Sequence, residues 1–287
     1  MNGKLYIVAT PIGNLGDMTN RAVEILRGCD IIAAEDTQTS IKLLNKFDIR
    51  TKLVSNHKFN EHSARDYFLR ELLSGKNIAL ISDAGTPCIS DPGAALVRLA
   101  AENNIPVEGV PGACAAVTAV SVSGFDAHGF SFMGFFPRET GDIKKLLQKL
   151  LKNPGVYIFY ESPKRIIKTF GTFAENLPFA GICLCNDLTK KFERVYRGTP
   201  SEILAELRGN PSAEKGEYTI VANITETSVP GCRPAPQFSA EAILVDIMLK
   251  QNCTLKAAVK ITAAEHNLNK NEVYAASLNL KNLLARQ

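Results

Sequence analysis

Ser82-Asp83-Ala84-Gly85-Thr86-Pro87-Cys88-Ile89-Ser90-Asp91-Pro92-Gly93 is the stretch whose reading decides the fold. It follows an apolar run, Asn77 to Ile81, and precedes a helical pattern that begins near Ala94, so it sits where a parallel strand delivers its carboxyl end into a loop. In open α/β sheets that is where ligands bind. Two Gly and two Pro turn the chain sharply and let bare backbone approach a ligand, while two Asp, two Ser and one Thr offer polar groups to hydroxyls or amines. The same composition suits a plain strand-to-helix connection with an N-cap, and the loop alone leaves both readings open.

Upstream, the same layout occurs twice. Leu5 to Thr10 reads as a buried strand running into Pro11-Ile12-Gly13-Asn14-Leu15-Gly16-Asp17-Met18-Thr19, a Gly-rich turn before a capped helix from Thr19 to Leu26. The turn lacks both the GxGxxG spacing and the lysine of a P-loop, which argues against a dinucleotide or NTP site. Asp30 to Ala34 is the next strand and ends in Glu35-Asp36-Thr37-Gln38-Thr39. A helix from Ser40 to Phe47, a strand near Lys52 to Val54 and a helix from Asn60 to Ser74 with Gly75 as its C-cap follow. His57 and His62 read as surface or RNA-facing residues, not as metal ligands.

Downstream come a helix from Ala94 to Glu102, a strand around Val107 and the run Val110-Pro111-Gly112-Ala113-Cys114-Ala115-Ala116, whose small residues begin a closely packed helix. Strand, loop and helix alternate at least four times, which argues for a parallel sheet covered by helices with right-handed crossovers. After Ser123-Gly124-Phe125 the pattern changes. Phe130 to Phe136 is an aromatic strand, Asp142 to Leu151 a basic helix, Gly155 to Tyr160 a strand ending in Glu161-Ser162-Pro163-Lys164-Arg165, and Ile182 to Asn186 a strand leading into Asp187-Leu188-Thr189-Lys190-Lys191-Phe192-Glu193-Arg194. Lys215 to Ala222 reads as a hairpin strand. The expected division is an α/β domain over 1–123, a second α/β domain over 124–225, a Pro-rich linker over 226–238 and a helical module over 239–287. In that module Ser239 and Thr254 cap two helices, Asn269 and Glu272 have capping-box spacing, and a turn at Asn267-Leu268 gives either a helix-turn-helix or a plain packing module.

Composition narrows the classes. No apolar run approaches the roughly 20 residues of a membrane span, and Met1 to Leu5 lacks a signal-peptide profile, so a cytoplasmic protein without a membrane partner is expected. Seven scattered cysteines in mostly apolar context fit reduced core thiols, and Cys183 and Cys185 are expected to alternate faces of their strand, which makes no zinc site. No metal is expected. The net charge of +4 is unevenly placed: from Arg138 to Lys168 there are eight Lys or Arg against three Asp or Glu, either a solvated face or a phosphate-tracking surface.

Taken together, Val8 to Thr19, Ala34 to Thr37, Ser-Asp-Ala-Gly-Thr-Pro with Ser-Asp-Pro-Gly, and Pro-Gly-Ala-Cys-Ala resemble the small-subunit ribosomal RNA methyltransferase branch of the tetrapyrrole methylase superfamily. Gly134 to Pro137, Tyr-Glu-Ser-Pro-Lys-Arg and Leu-Thr-Lys-Lys-Phe-Glu continue the match in order over nearly the whole chain. The resemblance implies two α/β domains of the tetrapyrrole methylase type with S-adenosyl-L-methionine in the cleft between them, a small C-terminal helical module and a homodimer. It also implies methylation of the ribose 2′-hydroxyl of a cytidine in the decoding region of 16S rRNA, with that RNA or the small ribosomal subunit as partner. Cofactor contacts are implied at Pro11, Ile12, Gly13, Asp83, Ala84, Gly85, Thr86, Ile89, Pro111, Gly112, Ala115, Tyr160 and Thr219.

Methyl transfer from a sulfonium needs alignment and removal of one proton, and neither a metal nor a covalent nucleophile. Glu35, Asp36, Glu161 and Lys190, all on strand-end loops, are the candidate catalytic groups; each is equally suited to capping a helix or forming an ion pair. The branch usually carries Arg where this chain has Gln38, and Arg-Glu where it has Asn186-Asp187, so RNA contacts are expected from Lys164, Arg165, Lys191 and Arg194. Methylation of a tetrapyrrole-like small molecule and a non-catalytic RNA-binding assembly role are the rival readings.

Overall fold

The computed structural model of the protein describes residues 2–56, 61–225, 240–251, 253–265 and 270–284, with the side chains at 61–63, 263–265, 270–272 and 282–284 left aside. The chain divides into two compact units, Met1–Gly231 and Cys232–Gln287.

The first unit begins with β1 (Leu5–Val8), α1 (Asn20–Gly28), β2 (Ile31–Ala34), α2 (Thr37–Lys46), β3 (Lys52–Ser55), α3 (Glu61–Leu73), β4 (Ile78–Ile81), α4 (Ala94–Glu102) and β5 (Val107–Val110). The five strands are all parallel, in the order β3-β2-β4-β1-β5. β2 and β4 are buried along their whole length, because helices cover both faces. Ala22 and Leu26 of α1 and Leu44 of α2 pack on one face; Phe68 and Leu72 of α3 and Leu96 and Ala100 of α4 pack on the other. The crossover from β1 leads leftward in this order to β2, while that from β4 leads rightward to β5. The two adjacent strands β1 and β4 therefore send their chains to opposite faces, and a crevice opens at their carboxyl ends.

α5 (Ala115–Ser123), closed by Gly124 in the left-handed conformation, is followed by β6 (Phe130–Phe135), α6 (Thr140–Lys152), β7 (Gly155–Glu161), α7 (Ile166–Asn176), β8 (Gly181–Asn186), β9 (Arg194–Gly198), α8 (Pro200–Gly209) and β10 (Tyr218–Ile224). These strands form a second sheet ordered β6-β7-β10-β8-β9, parallel only between β6 and β7. One face is an aromatic core in which Phe136, Phe159 and Phe173 meet edge to face at 5.2–6.3 Å between ring centres. The other face packs on Ala116 and Ala119 of α5.

Three expectations are corrected here. The 215–222 segment is no hairpin arm: β10 lies between β7 and β8, antiparallel to both, and the hairpin is β8–β9. Cys183 and Cys185 do not alternate faces, since residues two apart on a strand share one; their sulfurs are 4.0 Å apart against the α5 side of the core. The helix expected from Ser40 begins at Thr37, because Asp36 accepts hydrogen bonds from the Gln38 and Thr39 amides at 2.7 and 3.4 Å.

The second unit contains α9 (Ala240–Gln251), α10 (Leu255–Glu265) and α11 (Lys270–Leu284), closed around Leu244, Ile247, Ala258, Val273 and Ala276. Ser239, Asn267, Leu268 and Asn269, with His57, lie outside the described residues, as do the side chains of His62 and Glu272.

Candidate functional site

The crevice between β1 and β4 is built by hydrogen bonds that tie three strand-end loops together. Thr10 and Gly85 form a two-way backbone bridge, N–H to O at 2.9 and 3.0 Å. The Thr10 hydroxyl donates to the Ser82 carbonyl at 3.1 Å, and the Thr86 hydroxyl reaches across to the Ala113 carbonyl at 3.2 Å. Gly85 can serve here because its φ is +81° and a Cβ would sit 3.3 Å from Ile12 Cγ2. Its amide is spent on Thr10, and the Ala84 to Thr86 turn it fixes forms a wall.

That wall bounds a cavity of about 450 Å³. Ile12, Asp83, Ala84, Gly85, Thr86, Ile89 and Ala115 line it from the loops around the first sheet, with Glu35 and Asp91. Tyr160, Glu161 and Thr219 close it from the second sheet, with Phe135, Leu188 and Glu217. Tyr160 stands edge to face with Phe132 and Phe135, at 4.9 and 5.7 Å between ring centres, and burial pushes its hydroxyl up to about 12, so it remains a protonated hydrogen-bonding group. Pro11 and Gly13 line a smaller adjoining cavity of about 280 Å³, together with Lys190. Pro111 and Gly112 line neither: Gly112 keeps the loop after β5 against β1, where a Cβ would come within 2.8 Å of Ala9 Cβ.

Carboxylates dominate the electrostatics. Burial raises the Glu35 carboxyl above its ordinary range, and repulsion from Asp91, Asp83 and Asp36 adds to this. Asp83 is raised by burial and by the charge of Asp36, although the Asp36 amide, at 3.2 Å from Asp83 Oδ1, offsets part of the shift. Asp91 is raised by burial and by Asp83, against a hydrogen bond from Ser82. Three carboxylates held at raised pKa around one cavity repel one another until something positive enters.

The other candidate groups have structural employment. Asp36 is the N-cap of α2, with its carboxyl held low chiefly by the Gln38 amide. Glu161 is fully enclosed by donors from Ser162 N, Arg165 and Thr169. Arg165 spends its guanidinium on Glu161 and on the Phe136 carbonyl at 2.6 Å, which removes it from the free cations of the surface. Lys190 donates to Asp187 at 3.0 Å and Glu217 at 2.8 Å. Burial acts to lower its pKa, but these two bonds outweigh it and raise it, so the amine stays charged and is no base. Lys164, Lys191 and Arg194 are exposed, and Lys191 lies 5.5 Å from the centre of the Phe192 ring, itself 73% exposed. Among the described residues no three His, Cys, Asp or Glu side chains are placed to hold a metal ion, and no helix is long and apolar enough to cross a membrane.

Sequence reasoning omitted Asp91, Phe135, Leu188 and Glu217 from the site. Asp91 was within reach, being in the same loop as Asp83. The other three enter only through the pairing order of the second sheet, which local pattern does not encode.

A parallel sheet with its crevice at the switch point, closed by a mixed sheet, defines a class. The profile of Tetrapyrrole (Corrin/Porphyrin) Methylases matches residues 4–204. A solved structure of diphthine synthase superposes with a TM-score of 0.60 over 80% of this chain and 92% of its own, at 13% identity. Uroporphyrin-III C-methyltransferase from Thermus thermophilus, complexed with S-adenosylhomocysteine, gives 0.53 over 76% and 97%, at 16% identity; these two show a shared fold. The protein named "Ribosomal RNA small subunit methyltransferase I" of Bacillus subtilis is 40% identical over 275 residues, covering 96% of this chain and 94% of its own. The chain belongs to the ribosomal RNA small subunit methyltransferase I family of tetrapyrrole methylases.

Proposed function

We propose that this protein transfers a methyl group from S-adenosyl-L-methionine to ribosomal RNA of the small subunit, and that the acceptor is the ribose 2′-hydroxyl of a cytidine in the decoding region of 16S rRNA. The observation that carries the reading is the carboxylate-lined cavity at the β1/β4 switch point, in a chain whose relatives bear the rRNA methyltransferase name along almost their whole length. The cofactor fits these residues: Glu35, Asp83 and Asp91 match a sulfonium and an ammonium, and Ile12, Ile89, Leu188 and Tyr160 offer apolar walls to an adenine ring. When bound, it supplies a methyl group on a positively charged sulfur.

The protein then has to align the acceptor hydroxyl and take its proton. Of the four groups first considered, Glu35 is the one left for that task, because Asp36 caps, Glu161 is enclosed by donors and Lys190 keeps its proton. Asp83 stands beside it as the carboxylate that borders both cavities. Exposed Lys164, Lys191 and Arg194 are the RNA-facing cations of this reading, which also carries with it a homodimer acting in the cytoplasm.

The test is incubation with labelled cofactor and small ribosomal subunits lacking the modification, followed by mapping of the label. A methyl on a cytidine ribose supports the reading; label on a base, or only on a small-molecule acceptor, overturns the finer part. Ile89→Arg places a cation at an exposed wall of the cavity and abolishes cofactor binding by calorimetry with folding unchanged; an unaltered affinity would contradict the placement.

A further inference from the structure

The methyl-transfer reading occupies one cavity and leaves the smaller one beside it unassigned. The two share Ile12, Asp83, Ala84 and Glu217, so a ligand in the smaller space lies directly against one in the larger. At about 280 Å³ it falls at the lower edge of the ~300–1,000 Å³ typical of small-molecule pockets, which suits one nucleoside better than a four-ring macrocycle.

Its wall contains a buried group without a partner. Ser40, 2% exposed, lines the space from the first turn of α2, and its hydroxyl makes no hydrogen bond. Most buried polar atoms in folded proteins are satisfied, so an orphan hydroxyl in the wall of a cavity calls for a polar occupant. Lys190 adds to this. Two of its three ammonium protons go to Asp187 and Glu217, which leaves one donor for an oxygen of that occupant.

Resting on the methyl-transfer reading, we infer that the smaller cavity is the acceptor-nucleotide subsite, and that the Ser40 hydroxyl is the hydrogen-bonding group that seats the sugar or base. Asp83 and Glu217 accept from sugar hydroxyls or an exocyclic amine, Lys190 donates its remaining proton to an oxygen, and Leu43 is the apolar floor. Ser40 is a positioning residue here: it holds the acceptor and takes no proton.

The experiment uses the full chain with three readouts: cofactor affinity by calorimetry, steady-state methylation of unmodified small subunits, and anisotropy of a labelled cytidine-containing RNA hairpin on protein loaded with S-adenosylhomocysteine. Ser40→Ala loses one neutral hydrogen bond, so KM for subunits rises about threefold to tenfold with kcat and cofactor affinity little changed. Ser40→Thr, which keeps the hydroxyl, restores part of the loss. Leu43→Trp fills the cavity and weakens hairpin binding at least tenfold, again at constant cofactor affinity. Weaker cofactor binding in both variants would assign the space to the cofactor, and unchanged KM and hairpin binding would show that nothing docks there; either result overturns the subsite. Failure of the methyl-transfer reading looks different: the wild type transfers no label, while hairpin binding remains sensitive to Leu43→Trp.

Discussion

Arg165 donates from both Nε and Nη2 to a single oxygen of Glu161, at 2.8 and 2.5 Å, while the Thr169 hydroxyl donates to the other at 2.5 Å. The Glu161 side chain is 0% exposed. This arrangement holds the end of β7 to the start of α7 and, through the Phe136 carbonyl, to the end of β6; the two strand ends line the cavity through Phe135, Tyr160 and Glu161. Removing one partner leaves a buried charge uncompensated, which costs about 3–5 kcal/mol. Glu161→Ala is therefore expected to lower the unfolding free energy from urea denaturation by that amount, and Thr169→Val, which removes one charge-assisted bond, by about 1.5–3 kcal/mol, each seen as a lower midpoint at unchanged slope. Equal midpoints for wild type and Glu161→Ala would show that the pair is not what fixes this corner.

Neutralising Asp91 is expected to stabilise the protein and weaken its binding. The folded-state pKa of Asp91 is raised, by burial first and by Asp83 second. A carboxyl raised on folding contributes stability that is full below its unfolded pKa, about 3.9, and is lost as pH rises through the folded value. Asp91→Asn never incurs that loss. Its melting temperature should exceed that of the wild type at pH 7, with the gap closing as the pH falls below the ordinary carboxylate range. Calorimetry should show weaker cofactor binding at pH 7, because one carboxylate facing the cation is gone. A variant less stable at pH 7 would contradict the placement of repulsion at this site.

Gly13 and Lys190 are coupled through space. Gly13 has φ +151°, and a Cβ on it would lie 2.5 Å from Lys190 Cγ and 2.8 Å from Cε. Gly13→Ala therefore displaces the lysine from Asp187 and Glu217 and also strains the backbone. Shortening the lysine removes the first problem only. In a double-mutant cycle, Gly13→Ala should cost more stability in the wild type than in Lys190→Ala, with a coupling of about 0.5–3 kcal/mol; strict additivity would refute the contact.

How far the sequence reached follows from the range of each interaction. The first sheet was legible because each strand, loop and helix announces itself locally: a continuous apolar run of four or five residues, a Gly/Pro/Asp turn, then an amphipathic stretch. The second sheet was not, because β10 enters between β7 and β8 from the end of the unit, and that insertion is written in no single window. For the same reason α7, β9 and α8 were passed over, although Thr199 and Glu202 form a capping box readable four letters at a time. The acid loops were found as site residues, but sorting them needed geometry. Only the hydrogen bonds separate Asp36, a helix cap, and Glu161, a buried anchor, from Glu35, which faces the cavity.

The free cations of the surface give the last prediction. Lys191 and Arg194 are exposed beside Phe192, whereas Arg165 is enclosed by Glu161 and Phe136. If the first two track phosphates, each alanine substitution removes about one counterion released, so the slope of log affinity against log salt falls by about 0.7–0.9 per residue. Affinity for RNA should fall correspondingly at low salt and converge with the wild type at high salt. Arg165→Lys should leave the slope as it is and instead lower the melting temperature, since an ammonium cannot place two donors on Glu161 and one on the Phe136 carbonyl in the same fork. The two substitutions thus separate a phosphate contact from a structural ion pair by salt dependence alone. A reduced slope for Arg165→Lys would mean that the guanidinium leaves Glu161 when RNA binds.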